Sequence, residues 1–540
     1  MNLYAANRLQ TLCLEDFSQV AEFYGRDPRL ASLLQSPPAP RARPLAKADL
    51  EELARFNTLA FSDAKKVRAR VDRLADPRCL VVLTGQQSGL LLGPLYATLK
   101  AINAVQIARR LEEATGRPAQ ALFWIASEDH DFDEVRGVSW VDRDGRRHAF
   151  DLELPAGCNG WSVGTIPLDR DALFRLLARF AKGLPENPEL LTQLGDLVND
   201  SATLGDLFRN LLLWLFQGAG LLAVDPWFSP IKRHLPGILR REIENPGAST
   251  ADVLAVSERL SQAGFASQVH RREGDVNFFL YADKVRAKVI HEGGRFRAVH
   301  PQTGETLSDH DAGSLLALLE ESPELFSPNV LTKPLVRDLV FRPVAYVAGP
   351  GELAYYAQMK TLYDQAAVEM PAILPRSQVV LINPKVRRAL GHLGLSAEEW
   401  LAMSEAERGS HLARRGIGAE FLEEFETQSA EMMSQIDALE KLVVRLDPGL
   451  RRSAERLRGS MTTALDKLAV QMTHSAQRRD ADLGEAEERT REALLPGGVH
   501  QERRDNIVAP HLWREGPGLI DRLFEALDPG DPNLRVVETR

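Results

Sequence analysis

Residues 78–131 read RCLVVLTGQQSGLLLGPLYATLKAINAVQIARRLEEATGRPAQALFWIASEDHD, and this run restricts the fold more than any other part of the chain. A short β-type run leads into a glycine-rich turn, a helical pattern and a second apolar run, which together make a βαβ unit. Leu99, Ile102, Val105 and Ile107 or Ala108 share one face of the helix. Arg109, Arg110, Glu112 and Glu113 take the other, and Gly116-Arg117-Pro118 stops it. Both strands are nearly continuous in apolar residues, as parallel strands covered on two faces should be. Ligands of such sheets bind beyond the carboxyl ends of the strands, so the loops TGQQSG and SEDHDFDE should open into one crevice.

The pattern recurs downstream. LFRNLLLWLF reads as a buried helix, GLLAVD (220–225) as a strand, and FRPVAYVAGPGELAYYAQMKTLY as strand, glycine turn and helix, with SQVVLI as a last strand-like run. Residues 276–306 alternate and carry turn signals at Gly293-Gly294 and Gly304, which predicts a small antiparallel insertion. From about Ala419 the apolar residues Phe421, Phe425, Met432, Ile436, Leu439, Val443 and Leu446 are spaced mostly by three and four. After Asp447-Pro448-Gly449 the pattern restarts at Leu450, Ala454, Leu457, Met461, Ala464 and Leu468. This predicts an antiparallel coiled coil, and a two-helix hairpin seldom buries both apolar faces alone, so a homodimer through it is expected. The domains expected are an α/β core over 1–385, an α-helical coiled-coil region over 386–494, and a segment over 495–540 packing back on the core.

A chain of 540 residues exceeds what one hydrophobic core usually organises. Its net charge of -9 gives no general pull toward nucleic acid. The three cysteines, Cys13, Cys79 and Cys158, form no CxxC pair. They fit a reducing cytoplasm and give no zinc site. The start MNLYAANRLQTLCLEDF lacks the basic region, apolar core and cleavage site of a signal peptide. The most apolar window, from Leu207, is interrupted by Arg209, Asn210 and Gln217, so no membrane association is expected.

Three constellations could carry chemistry. In TGQQSGLLLGPLY, Thr84, Gly85, Gln86 and Gln87 follow a strand, with Gly89 and Gly93 before a helix, then Pro94 and Tyr96. Such a turn lets an anion approach backbone N–H groups, although it is neither GxGxxG nor a P-loop. In SEDHDFDE, Glu128, Asp129, Asp131, Asp133 and Glu134 surround His130, and three readings stay open. The oxygens suit Mg²⁺, His130 suits acid/base work if Asp129 and Asp131 stabilise its charged form, and a solvated helix start needs no ligand at all. In VAGPGELAYYAQ, Gly349, Gly351 and Glu352 repeat the strand-end turn, with Tyr355 and Tyr356 near its mouth. PAILPRSQ adds Arg376 and Ser377, a charged fork and a hydroxyl for phosphate or carboxylate.

LTGQQSGLLLGPLY, FWIASEDHDFDE, YVAGPGELAYYAQ and the late LPGGVHQER, taken in this order, resemble the bacillithiol-biosynthesis cysteine ligase family, BshC. The likeness spans nearly the whole chain. It implies a Rossmann-like core with connecting insertions, an α-helical antiparallel coiled-coil arm, a homodimer, and the joining of cysteine to glucosaminyl-malate as the last step of bacillithiol synthesis. Forming that amide requires an activated carboxyl, most simply through ATP as cosubstrate. The resemblance then implies an anion cradle at Thr84, Gly85, Gln86, Gln87 and Gly93, a base at His130 or at Asp129 or Asp131, and a carboxylate contact at Arg376. The HIGH and KMSKS signatures of class I synthetases are absent, with GPLY and PRS in their places, so ATP enters from the chemistry rather than from a motif. The competing readings are a metal-dependent hydrolase or nucleotidyltransferase using the acidic loop 128–134, and a coiled-coil assembly protein.

Overall fold

The structure, a computed structural model, describes residues 23–24, 27, 29–417, 419–479, 481–531 and 533–539. The signal-peptide reading of the first residues, and Cys13 with it, lies outside these. The described residues form two compact units, one within 23–380 and 502–537, the other within 381–501 with 538–539.

In chain order the strands are β1 (Leu80–Gln87), β2 (Ala119–Ala126), β3 (Gly137–Val141), β4 (Arg147–Asp151), β5 (Leu222–Val224), β6 (Phe278–Ala282) and β7 (Val285–Glu292). They continue with β8 (Arg295–Val299), β9 (Thr306–Asp311), β10 (Phe326–Pro328), β11 (Ala345–Ala348), β12 (Ala372–Pro375), β13 (Gln378–Ile382) and β14 (Leu534–Glu538). The large unit is built on a five-stranded sheet in the order β12-β11-β1-β2-β5, every pair parallel. The chain runs outward from β1 through β2 to β5, then returns to the other side of β1 for β11 and β12. This is a Rossmann-like winding with its reversal between β1 and β11. SQVVLI forms β13, outside this sheet; the fifth parallel strand is AILP, whose four residues are too short a run to stand out from its prolines.

The antiparallel segment is larger than the alternation indicates, with β10-β6-β7-β8-β9 as a second sheet. It is no satellite. Phe278, Leu280, Ala287, Phe296 and Phe326 share one hydrophobic cluster with Leu83, Trp124 and Val224 of the parallel sheet. Burial of such side chains contributes roughly 1.5–3 kcal/mol each, so the two sheets are stabilised together.

The helix Leu95–Thr115 departs from a simple two-faced pattern. Every residue from Ala97 to Ala108 is buried, including Thr98, Lys100, Asn103 and Gln106, and exposure begins only at Arg109. Its second face is covered by the chain's late segment. Gln106 Nε2 donates to the carbonyls of Phe524 and Leu527, and Leu95 N donates to the carbonyl of Asp505 at 2.8 Å. The turn before this helix is strained, because Leu91 and Leu92 both have positive φ (49° and 74°), a conformation that costs an ordinary residue roughly 1–2 kcal/mol. Asn506 holds it, its Nδ2 donating to the carbonyls of Leu90, Leu91 and Gly93 at 3.3, 2.7 and 2.8 Å.

In the small unit the helices Ala419–Leu446 and Arg451–Arg479 form the antiparallel hairpin, with Ile436 and Ala454 buried and Arg458 paired to Asp437 at 3.2 Å. Leu439, Leu442, Leu446, Leu457 and Leu468 remain exposed along it. No helix among the described residues is long and apolar enough to cross a membrane.

Asn506→Ala should therefore remove about 3 kcal/mol of stability, because it strands buried carbonyls in a turn that is already strained. Asn506→Asp, which keeps the acceptor and loses the donors, should behave alike in urea unfolding. Midpoints within about 0.5 kcal/mol of wild type would show that the turn holds itself.

Candidate functional site

The winding reversal leaves a crevice beyond the carboxyl ends of β1 and β11, and a cleft of about 540 Å³ opens there, within the roughly 300–1,000 Å³ of small-ligand sites. Gly85, Gln86, Gln87, Tyr96, Asp129, His130, Gly349, Gly351, Glu352 and Arg376 all line it. The two loops of the βαβ unit thus do meet in one place.

Lys100 joins the two strand ends. Its ammonium, 3% exposed, donates to Gly85 O at 2.9 Å and Gln86 Oε1 at 3.0 Å and pairs with Glu352 Oε2 at 2.5 Å. Burial lowers the Lys100 pKa from its ordinary value, and Glu352 opposes that shift. Glu352 also closes the start of the helix Pro350–Tyr356, accepting from Gly349 N at 2.7 Å and from Tyr346 OH at 2.7 Å. Gly85 is required by packing, since a Cβ there would lie 2.7 Å from the carbonyl oxygen of Trp124 on β2.

The acidic loop does not gather its carboxylates. Glu128 turns inward, 1% exposed, to Lys232 Nζ at 2.6 Å and Ser327 Oγ at 3.0 Å. Asp131 caps the short helix Phe132–Val135, and Asp133 points to solvent beside Arg136. Only Asp129 and Glu134 face the cleft, both accepting from Gln87 Nε2 at 2.8 Å. Among the described residues no group of three or more His, Cys, Asp or Glu is arranged to hold a metal ion.

His130 lies in the cleft wall with Nδ1 3.3 Å from Arg286 Nη1 and its ring edge-on to Phe279. Its flanking aspartates do not set its charge. Burial and Arg286 lower its pKa more than Asp129 and Asp131 raise it, which corrects the expectation of a stabilised imidazolium. For Asp129 the balance goes the other way. Burial pushes the carboxyl up, but Lys333, Arg286 and the hydrogen bonds from Gln87 and His130 N bring it down to about 2.

Five expected site residues stand elsewhere. Thr84 spends its hydroxyl on Val347 O at 2.9 Å, inside the sheet. Gly93 and Pro94 belong to the turn that Asn506 and Asp505 cover, with Leu95 N at the helix start already donating to the carbonyl of Asp505. Asp131 is a helix cap. Ser377 binds Asn103, its N–H donating to Asn103 Oδ1 at 2.6 Å and its hydroxyl accepting from Asn103 Nδ2 at 3.1 Å. Arg376 does line the cleft, yet its fork is occupied by Glu502 through contacts of 2.8 and 2.7 Å; burial pushes both groups toward neutrality, opposed at Arg376 by Tyr96 and Glu352 and at Glu502 by the Val379 N–H and Arg503.

What sequence reasoning missed is the cation content. Among the described residues, Lys100, Arg271, Arg286, Lys333, Arg337, Arg376 and Arg503 line the cleft against Asp129, Glu134 and Glu352. Lys100 left a signal, being the single charged residue from Leu90 to Ala108. Arg286 lay in the alternating segment, where it meets this cleft beside Phe279 instead of water.

Two family models match the chain. "Bacillithiol biosynthesis BshC, N-terminal Rossmann-like domain" matches residues 1–377 and "Bacillithiol biosynthesis BshC, C-terminal coiled-coil domain" matches 379–539. Proteins named "Putative cysteine ligase BshC" are similar over nearly their whole length. That of Salinibacter ruber is 31% identical, covering 95% of this chain and 92% of its own, and that of Prosthecochloris aestuarii is 30% identical, covering 95% and 90%.

The depressed Asp129 pKa has a signed consequence. Its stabilisation, about 2 kcal/mol, is complete above the unfolded value near 4 and is lost as pH falls through about 2. Between pH 5 and 3 the urea midpoint of wild type should fall more steeply than that of Asp129→Asn. Equal slopes would mean that Asp129 is not held by its cations.

Proposed function

The chain belongs to the BshC family of bacillithiol biosynthesis, and from that premise we propose that it is a cysteine ligase joining the carboxyl of cysteine to the amine of glucosaminyl-malate, the last step of that pathway. The observation that carries the reading is the excess of cations in the crevice between β1 and β11, because both substrates bring carboxylates.

A carboxylate does not form an amide unaided, so ATP is the activator in this reading. The cysteine carboxylate attacks a phosphorus of ATP, releasing pyrophosphate or ADP; the neutral amine nitrogen then attacks the acyl carbon, releasing AMP or phosphate and a proton. Arg503 and Tyr96 offer the charge and hydroxyl that nucleotide phosphates need, Lys100 ties the strand ends beneath them, and Gly349 and Gly351 line the wall beside them. Asp129 and Glu134, which both accept from Gln87, would be the carboxylates to hold Mg²⁺ if it accompanies the nucleotide. The divergence of the remaining loop carboxylates gives less support to a metal-dependent hydrolase. The substrates assign the reaction to the cytoplasm.

In the same reading two copies pair through the coiled coil, covering Leu439, Leu442 and Leu446. Sedimentation should give a dimer, and a Leu439→Glu, Leu442→Glu double variant a monomer; a monomeric wild type would end this part of the proposal.

The ligase reading is tested by incubating the pure protein with cysteine, glucosaminyl-malate and ATP and following the amide by mass spectrometry. Product should require ATP, and Lys100→Met should lower kcat/KM by about 100-fold or more. No amide with any nucleotide would refute the activity.

A further inference from the structure

We infer that Arg286 is a positioning residue that fixes His130 as its Nε2–H tautomer, so that the imidazole meets whatever binds in the cleft as a hydrogen-bond donor and not as a proton acceptor. A guanidinium has N–H donors and no acceptor, so an imidazole nitrogen 3.3 Å from Arg286 Nη1 must offer its lone pair. Nδ1 is that nitrogen, and the ring proton of a neutral imidazole then sits on Nε2.

Arg286 cannot swing aside without breaking other contacts. It is 3% exposed, its Nε donates to Ser327 Oγ at 2.9 Å, its Nη2 donates to Pro328 O at 3.0 Å, and its plane lies 3.7 Å from the Phe279 ring centre. Ser327 accepts that bond, so its own proton goes to Glu128 Oε2, and the other Glu128 oxygen takes Lys232 Nζ. Lys232, Glu128, Ser327, Arg286 and His130 thus form a connected chain of hydrogen bonds in which Glu128 accepts from both neighbours and Arg286 donates to both, reaching from the buried side of the acidic loop to the cleft. Glu128 fits here as an anchor of the arginine.

The charged neighbours do not reverse this. Asp129 Oδ1 is 3.8 Å from His130 Nδ1, beyond hydrogen-bond distance, and is already bonded to the His130 backbone N–H at 2.8 Å. Asp131 caps its own helix, and the Lys333 ammonium can only donate. His130 Nε2 has no hydrogen-bond partner among the described residues, while the residue lines the cleft. Using Nε2 as a base would place a proton on Nδ1 opposite an arginine N–H, two donors facing each other in a buried site. The oxygen of a carboxylate, carbonyl or phosphoryl group is the chemistry that Nε2–H fits.

The full chain labelled with ¹⁵N-histidine, studied by long-range ¹H–¹⁵N correlation at neutral pH and assigned against His130→Gln, reads the tautomer directly. His130 should show an unprotonated Nδ1 and a protonated Nε2. Arg286→Met, or Ser327→Ala if that variant does not fold, should shift both signals toward the averaged positions of a tautomer mixture. A proton on Nδ1 in wild type, or an unchanged tautomer once the arginine is removed or loosened, would overturn the assignment. Because the readout is spectroscopic, it stands apart from the ligase reading: absence of amide product would leave it intact, and the wrong tautomer would leave the ligase activity untouched.

Discussion

The ammonium of Lys100 is the point on which the cleft depends. A buried charge is tolerated only when its hydrogen-bonding capacity is met, and here three protons find three acceptors, Gly85 O, Gln86 Oε1 and Glu352 Oε2. Those acceptors come from the end of β1 and from the helix that follows β11, the two sides of the winding reversal. One interaction therefore ties the strand ends together and sets the floor of the site. Glu352 extends the tie through Gly349 N and Tyr346 OH, so the second glycine turn takes its shape from the same ion pair.

A second constraint acts from the far end of the chain. Residues 502–510 return to the large unit and cover the start of the helix Leu95–Thr115, with Asp505 and Asn506 satisfying the backbone of the strained turn and Glu502 taking the Arg376 fork. The amino end of that helix is consequently tied to another part of the same chain, and the positive charge lining the cleft comes from side chains. Glycine-rich strand-to-helix turns look alike in sequence whether they bind phosphate or another part of the same chain; what distinguishes this one is an asparagine more than 400 residues away.

The βαβ unit was legible because periodicity and turn chemistry are local, and so was the convergence of Gln86, Gln87, Asp129, His130, Gly349 and Glu352, which follows from their placement at parallel strand ends. The cation set was not legible, since Lys100, Arg286, Lys333, Arg337 and Arg503 lie on separate segments with no common spacing. His130 was found for the right reason, a histidine at a strand end, and given the wrong electrostatics, because its sequence neighbours are acidic while its spatial neighbour is Arg286. The acidic loop carried the same lesson: consecutive carboxylates diverge when each meets a different partner.

In the ligase reading the crevice between β1 and β11 holds the substrates by their carboxylates. A crystal structure of the protein with cysteine and glucosaminyl-malate bound tests it most directly. Ligand carboxylate oxygens should lie within hydrogen-bond distance of cations in this cleft, with the substrate amine on the Asp129 and Glu134 side. Both substrates seated elsewhere, with the crevice holding only water, would contradict it.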